Sequence, residues 1–61
     1  MTTKVIDNEY ARKNFPLMIG LTLIPKYWDK YEEDNIWVDC VEKPEYSGWI
    51  NYLMLENWRI E

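Results

Sequence analysis

The chain has 61 residues, no histidine, one cysteine and a net charge of −4. It is long enough for one domain only, and a domain of this size leaves about 40% of its unfolded surface in water. The lone Cys40 excludes an intramolecular disulfide, and the missing histidines exclude His-based catalysis, imidazole metal ligands and a Cys/His zinc site.

The first segment, TTKVIDNEYARKNF, reads as a short helix. Thr3 or Asp7 serves as the N-cap, Glu9 lies near the start, and Arg12 and Lys13 lie near the end, as the helix dipole favours. Val5, Ile6, Tyr10 and Asn14 share a face. Pro16 closes the helix, because the residue before a proline avoids helical backbone angles. LMIGLTLI, residues 17–24, is a short apolar run between Pro16 and Pro25 with the length of a buried strand. Gly20 inside it predicts a bulge or a close approach by another backbone. Pro25 suits the first turn of a helical insert near residues 26–33. Tyr27, Trp28 and Tyr31 then lie together, with Asp29, Lys30, Glu32 and Glu33 largely on the other side. An irregular loop carrying the same rings is the alternative.

IWVDCVE, residues 36–42, alternates: Ile36, Val38, Cys40 and Glu42 face one way, and Trp37, Asp39 and Val41 the other. Its β-branched and aromatic content supports a strand. KPEYSG is a turn, with Pro44 and Gly48 near its ends. The last stretch, WINYLMLENWRI, fits a strand or, behind a Ser47 cap, a helix with Trp49, Ile50, Leu53, Met54 and Trp58 in a stripe. The turn upstream favours a hairpin of residues 36–42 with 49–55, then a bend at Glu56-Asn57 and a final strand at 58–60. The predicted fold class is α+β: a short N-terminal helix, a small antiparallel sheet of three or four strands, and the helical insert near residues 26–33.

With no covalent or metal staple, aromatic packing or self-association is left to stabilise so small a domain. Four tryptophans, five tyrosines and one phenylalanine are available. Each buried ring removes roughly 150–250 Å² from water. Trp37 or Trp58, Tyr52 and Phe15 are the predicted core rings, and the small volume forces others to the surface. Cys40, mid-strand and beside Asp39 and Glu42, reads as a small buried hydrophobe and not as an activated thiol. Ser47, the only serine, reads as a turn residue or cap. Paired carboxylates are the remaining route to catalysis, but so short a chain can hardly build the shielded cleft they need. No enzymatic activity and no cofactor are expected. DKYEEDN lacks the D-x-[DN]-x-[DN]-G frame of a calcium loop, so it reads as a solvated acidic face and not as a metal site.

The charge is concentrated. From Asp29 to Glu45, seven acids stand against two lysines, a balance of −5, and the rest of the chain balances at +1. Direct nucleic-acid binding and an anionic membrane surface are both disfavoured, since each needs a basic footprint. No apolar run reaches the ~20 residues of a membrane-spanning helix. The polar opening Thr2-Thr3-Lys4 precedes no secretory apolar segment, so a cytoplasmic protein is expected.

Rings and acids interleave in KYWDKYEEDNIWVD. That mixture suits a basic protein surface, whose arginines stack on rings and pair with carboxylates. Trp and Tyr are also enriched at binding hot spots. The predicted contact residues are Tyr27, Trp28, Asp29, Tyr31, Glu32, Glu33 and Asp34, extended by Asp39, Glu42, Glu45 and Tyr46. The expected function is a non-enzymatic inhibitor or regulator that blocks a basic site on a larger protein. A nucleic-acid enzyme is the natural target, since carboxylates can occupy sites made for phosphates, the mode of small acidic bacteriophage inhibitors. The alternatives are a structural subunit that forms a homodimer through exposed rings, and a small peptide- or sugar-binding module.

Overall fold

Period-two burial organises the chain from its first residues. In the computed structural model, which describes residues 1–56, Thr3 and Val5 are buried while Thr2 and Lys4 are exposed. This is strand-like alternation, and both buried residues form antiparallel bridges, Thr3 to Leu23 and Val5 to Leu55. The helix therefore starts later than Thr3. Helix α1 spans Glu9–Asn14, and its N-cap is Asn8, whose Oδ1 accepts from the Ala11 amide at 2.8 Å. Asp7, the other predicted cap, instead pairs with Arg12 at 2.8 Å. Only Ala11 of the helix is buried, and Tyr10 points to solvent. The Phe15 amide closes the last turn on the Ala11 carbonyl, and Pro16 ends the element.

The apolar run at residues 17–24 divides. Residues 16–20 form turns, and Gly20, at φ +88°, takes a left-handed conformation that side chains disfavour. Strand β1 then runs from Leu23 to Trp28, so the predicted helical insert over residues 26–33 is absent. Pairing with the next strand decides this: Tyr27 lies opposite Trp37 and Trp28 opposite Ile36. Pro25 is tolerated because, opposite Val38, it faces the sheet edge where no donor is required. The break in register falls at Lys26, between Pro25 and Tyr27, and not at Gly20.

Strand β2, Asn35–Cys40, behaves as its alternation requires: Ile36, Val38 and Cys40 are buried, and Asn35, Trp37 and Asp39 are partly exposed. It ends two residues before Glu42, where the Cys40 amide donates to Ser47 Oγ at 2.9 Å. A 3-10 turn at Pro44–Tyr46 leads into β3, Gly48–Asn51, so among the described residues the sheet is three-stranded in the order β1-β2-β3. The final stretch is strand and then helix. Asn51 Oδ1 accepts from the Leu53 amide, opening a 3-10 turn at Tyr52–Met54. After it, the Glu56 amide donates to the Lys4 carbonyl, and Thr3 Oγ1 bonds the Glu56 carbonyl. The N-terminal segment thus ties β1 to the chain after the 3-10 turn. The predicted strand at residues 58–60 lies outside the described residues.

Among the described residues, the core is aliphatic apart from Cys40: Val5, Ala11, Leu23, Ile36, Val38, Cys40 and Leu55. None of the described rings is fully buried. Phe15, Trp37 and Tyr52, expected as core rings, are half-buried, and Trp58 is outside the described residues. Fully burying an indole demands neighbours on every side, which a sheet this small does not provide.

Candidate functional site

The β1–β2 connection, residues 29–34, is an ordered turn built on one acid. Asp29 Oδ1 accepts from the amides of Tyr31 and Glu32, at 2.8 and 3.3 Å, which bends the chain back. Asn35 Nδ2 then donates to Glu32 Oε2 at 2.9 Å. With Asp29 and Glu32 engaged locally, Glu33 and Asp34 are exposed and form no side-chain hydrogen bond or ion pair among the described residues. Tyr31 stands out at the tip, 87% exposed.

Behind this turn lies an open cleft of about 560 Å³, lined by Trp28, Asp29, Lys30, Glu33, Asp34 and Tyr52. Its aromatic wall is the Trp28–Tyr52 pair, edge to face with centroids 5.9 Å apart. The Tyr52 amide donates to the Asp34 carbonyl at 2.9 Å, which holds the 3-10 turn against the acidic one. Four predicted contact residues (Trp28, Asp29, Glu33 and Asp34) thus converge on one cavity. Tyr52, expected in the core, is the wall that sequence reasoning missed. Its place depends on the 3-10 turn, which only the Asn51 side chain signals locally.

A second aromatic group occupies the outer face of the sheet. Tyr27 and Trp37 stack at 6.1 Å and 12°, and Trp49 meets both edge-on, at 5.8 and 5.5 Å. Trp37 Nε1 donates to Asp39 Oδ1 at 2.9 Å, and Lys26 lies 3.8 Å from the other oxygen of Asp39. Tyr27 and Asp39, both predicted contact residues, belong to this face and not to the cleft.

The remaining predicted contacts are at the far end of β2, about 17 Å away at a strand rise of roughly 3.4 Å per residue. Glu42 is committed to structure: its two oxygens accept from the Thr22 amide and hydroxyl, each at 2.8 Å. The Thr22 amide above all holds its carboxyl below the ordinary value of 4.5. Tyr46 packs against the core with Lys43 over its ring at 5.5 Å, and Glu45 lies beside it on an exposed turn. The acids of residues 29–45 are therefore divided between two ends of the sheet.

The cleft holds no serine, cysteine or histidine, so it offers carboxylates, one ammonium and two rings to whatever enters. Among the described residues, no three His, Cys, Asp or Glu groups are placed to hold a metal ion. No described helix is long and apolar enough to cross a membrane. No protein-family model, curated protein or solved structure matches the chain.

Proposed function

We propose that the chain is a non-enzymatic binding protein that blocks a basic site on a larger protein, with a cationic side chain of that partner entering the Trp28–Tyr52 cleft. One observation carries the reading: three acidic residues, Asp29, Glu33 and Asp34, line the same open cleft as an edge-to-face ring pair, against one lysine, Lys30. A guanidinium suits such a place, since it is planar, pairs with carboxylates through a rigid fork of donors and packs on aromatic surface. Tyr31 at the loop tip adds an aromatic contact, and the charge of the segment draws a basic surface from a distance. A nucleic-acid enzyme is the target we favour, its phosphate sites occupied by irregularly spaced carboxylates in the manner of small bacteriophage inhibitors.

Capture from a bacterial lysate at low salt, followed by elution in a salt gradient, tests this with two charge-matched variants. Glu33→Lys with Asp34→Lys reverses the cleft acids; Glu9→Lys with Glu45→Lys makes the same change in net charge on α1 and the far turn. The wild type and the second variant are expected to retain one basic protein that leaves as salt rises, and the first variant to lose it. Equal retention by both variants would show that net charge alone, and not the cleft, attracts the partner.

A further inference from the structure

Among the described residues, the sheet has one open edge, on β3, and the ladder fixes which of its groups face outward. The Tyr52 amide donates to the Asp34 carbonyl, which makes these two a hydrogen-bonded pair. Such pairs alternate along an antiparallel ladder. Ile36/Ile50 and Val38/Gly48 are therefore hydrogen-bonded pairs, and Trp37/Trp49 and Asn35/Asn51 are not. It follows that the N–H and C=O of Trp49 and the N–H of Asn51 point away from β2. Among the described residues, nothing outside the sheet bonds to them.

The opposite edge, on β1, is protected. Leu23 exchanges both backbone bonds with Thr3, at 2.8 and 2.9 Å, Pro25 has no N–H to offer, and the register breaks at Lys26. Among the described residues, none of these devices guards β3. From Tyr46 to Leu55 there is no charged residue, in a chain of net charge −4. A basic partner finds nothing to pair with along this edge, and two like-charged copies meet no repulsion at it. The charge pattern therefore favours a second copy of this chain as the occupant, whatever enters the cleft.

We infer that two copies pair antiparallel through β3 about a twofold axis, Trp49 opposite the second copy's Trp49. Each Trp49 amide donates to the other copy's Trp49 carbonyl, and each Asn51 amide reaches the other copy's Ser47 carbonyl. One patch serves both copies, as a twofold interface requires. The two sheets join into one, and the outer-face ring clusters meet at a cross-strand aromatic pair.

Asn51→Pro isolates the backbone contact. Asn51 has φ −69°, which proline adopts, and the N–H removed is the outward one. Asn51→Ala is the control, because it loses the same side-chain bond to Leu53 but keeps the N–H. In sedimentation equilibrium, the 61-residue chain is expected to move from 7.5 kDa toward twice that mass as concentration rises to about 1 mM, at low and high salt alike. Asn51→Ala is expected to dimerise within about threefold of wild type, and Asn51→Pro to be weakened about tenfold or more, having lost two hydrogen bonds per dimer. In the unmodified chain, exchange of the Trp49 amide slows as concentration rises. A mass fixed at 7.5 kDa, equal dimerisation by Asn51→Pro, or Trp49 exchange independent of concentration overturns the pairing. Dimerisation that fades with salt also overturns it, since that would place the acids at the interface. None of these outcomes bears on the cleft, whose test is retention of a basic partner.

Discussion

Leu23→Ala probes whether the aliphatic layer, and not the rings, holds the molecule together. Leu23 is fully buried at the start of β1, paired with Cys40 across the sheet and bridged to Thr3 on its other side. With backbone ladders on both sides, the neighbours cannot collapse into the space left behind. Buried Leu→Ala changes cost about 2.7–5 kcal/mol, the larger values going with cavities that stay open. At about 0.05–0.15 kcal/mol per residue, a 61-residue chain has about 3–9 kcal/mol in total. The variant should therefore lose about a third of its stability or more. Urea unfolding followed by far-ultraviolet circular dichroism measures this, with a lowered midpoint and an unchanged denaturant slope. Tyr31→Ala, at an 87% exposed position, should stay within about 0.5 kcal/mol of wild type. A loss below about 1 kcal/mol for Leu23→Ala would refute the core assignment, because no rigid buried site tolerates the change so cheaply.

Asn8→Ala removes the side-chain acceptor for the Ala11 amide and should cost about 0.5–2 kcal/mol, while Asn8→Asp keeps the cap; urea midpoints separate the two. Gly20→Ala places a Cβ where no other atom lies within 4 Å, so its cost, about 1–2 kcal/mol, comes from the left-handed φ alone. Gly20→Asn should recover part of that loss in the same assay. Glu42 has its carboxyl held below 4.5 by the Thr22 amide and hydroxyl, so its contribution to stability is present above that ordinary value and is lost as pH falls through the lower folded-state value. Glu42→Gln should lower stability at neutral pH and flatten the acid limb of the curve; unfolding midpoints that keep the wild-type acid dependence would count against the Thr22 clamp.

The cleft depended on the fold more than on any motif. The interleaving of rings and acids between residues 27 and 34 pointed to an exposed segment, and its acids do lie on the turn between β1 and β2. What hid the cleft was the conformation of Pro25–Trp28. Local spacing allowed a helix there, and only pairing with β2 made it a strand, which placed Tyr27 and Trp28 on opposite faces. The far acids failed to join for a similar reason. Sequence proximity says nothing about which end of a strand a residue flanks, and Glu42 was drawn away by Thr22, twenty residues earlier.

By itself the sequence determined the local periodicities: the alternation of β2, the short helix before Pro16, the turn before Gly48, and the clustering of negative charge after Trp28. These follow from side-chain geometry over a few residues, where period and punctuation suffice. It did not determine which residues form the core, because ring size argued for aromatics, whereas the fully buried side chains among the described residues are small and mostly aliphatic. Nor did it determine where Thr3 and Val5 belong, since their partners, Leu23 and Leu55, lie 20 and 50 residues away. Those choices rest on long-range pairing, where burial of a shared inner face outweighs local preference, and they alone brought Trp28 and Tyr52 together across the acidic cleft.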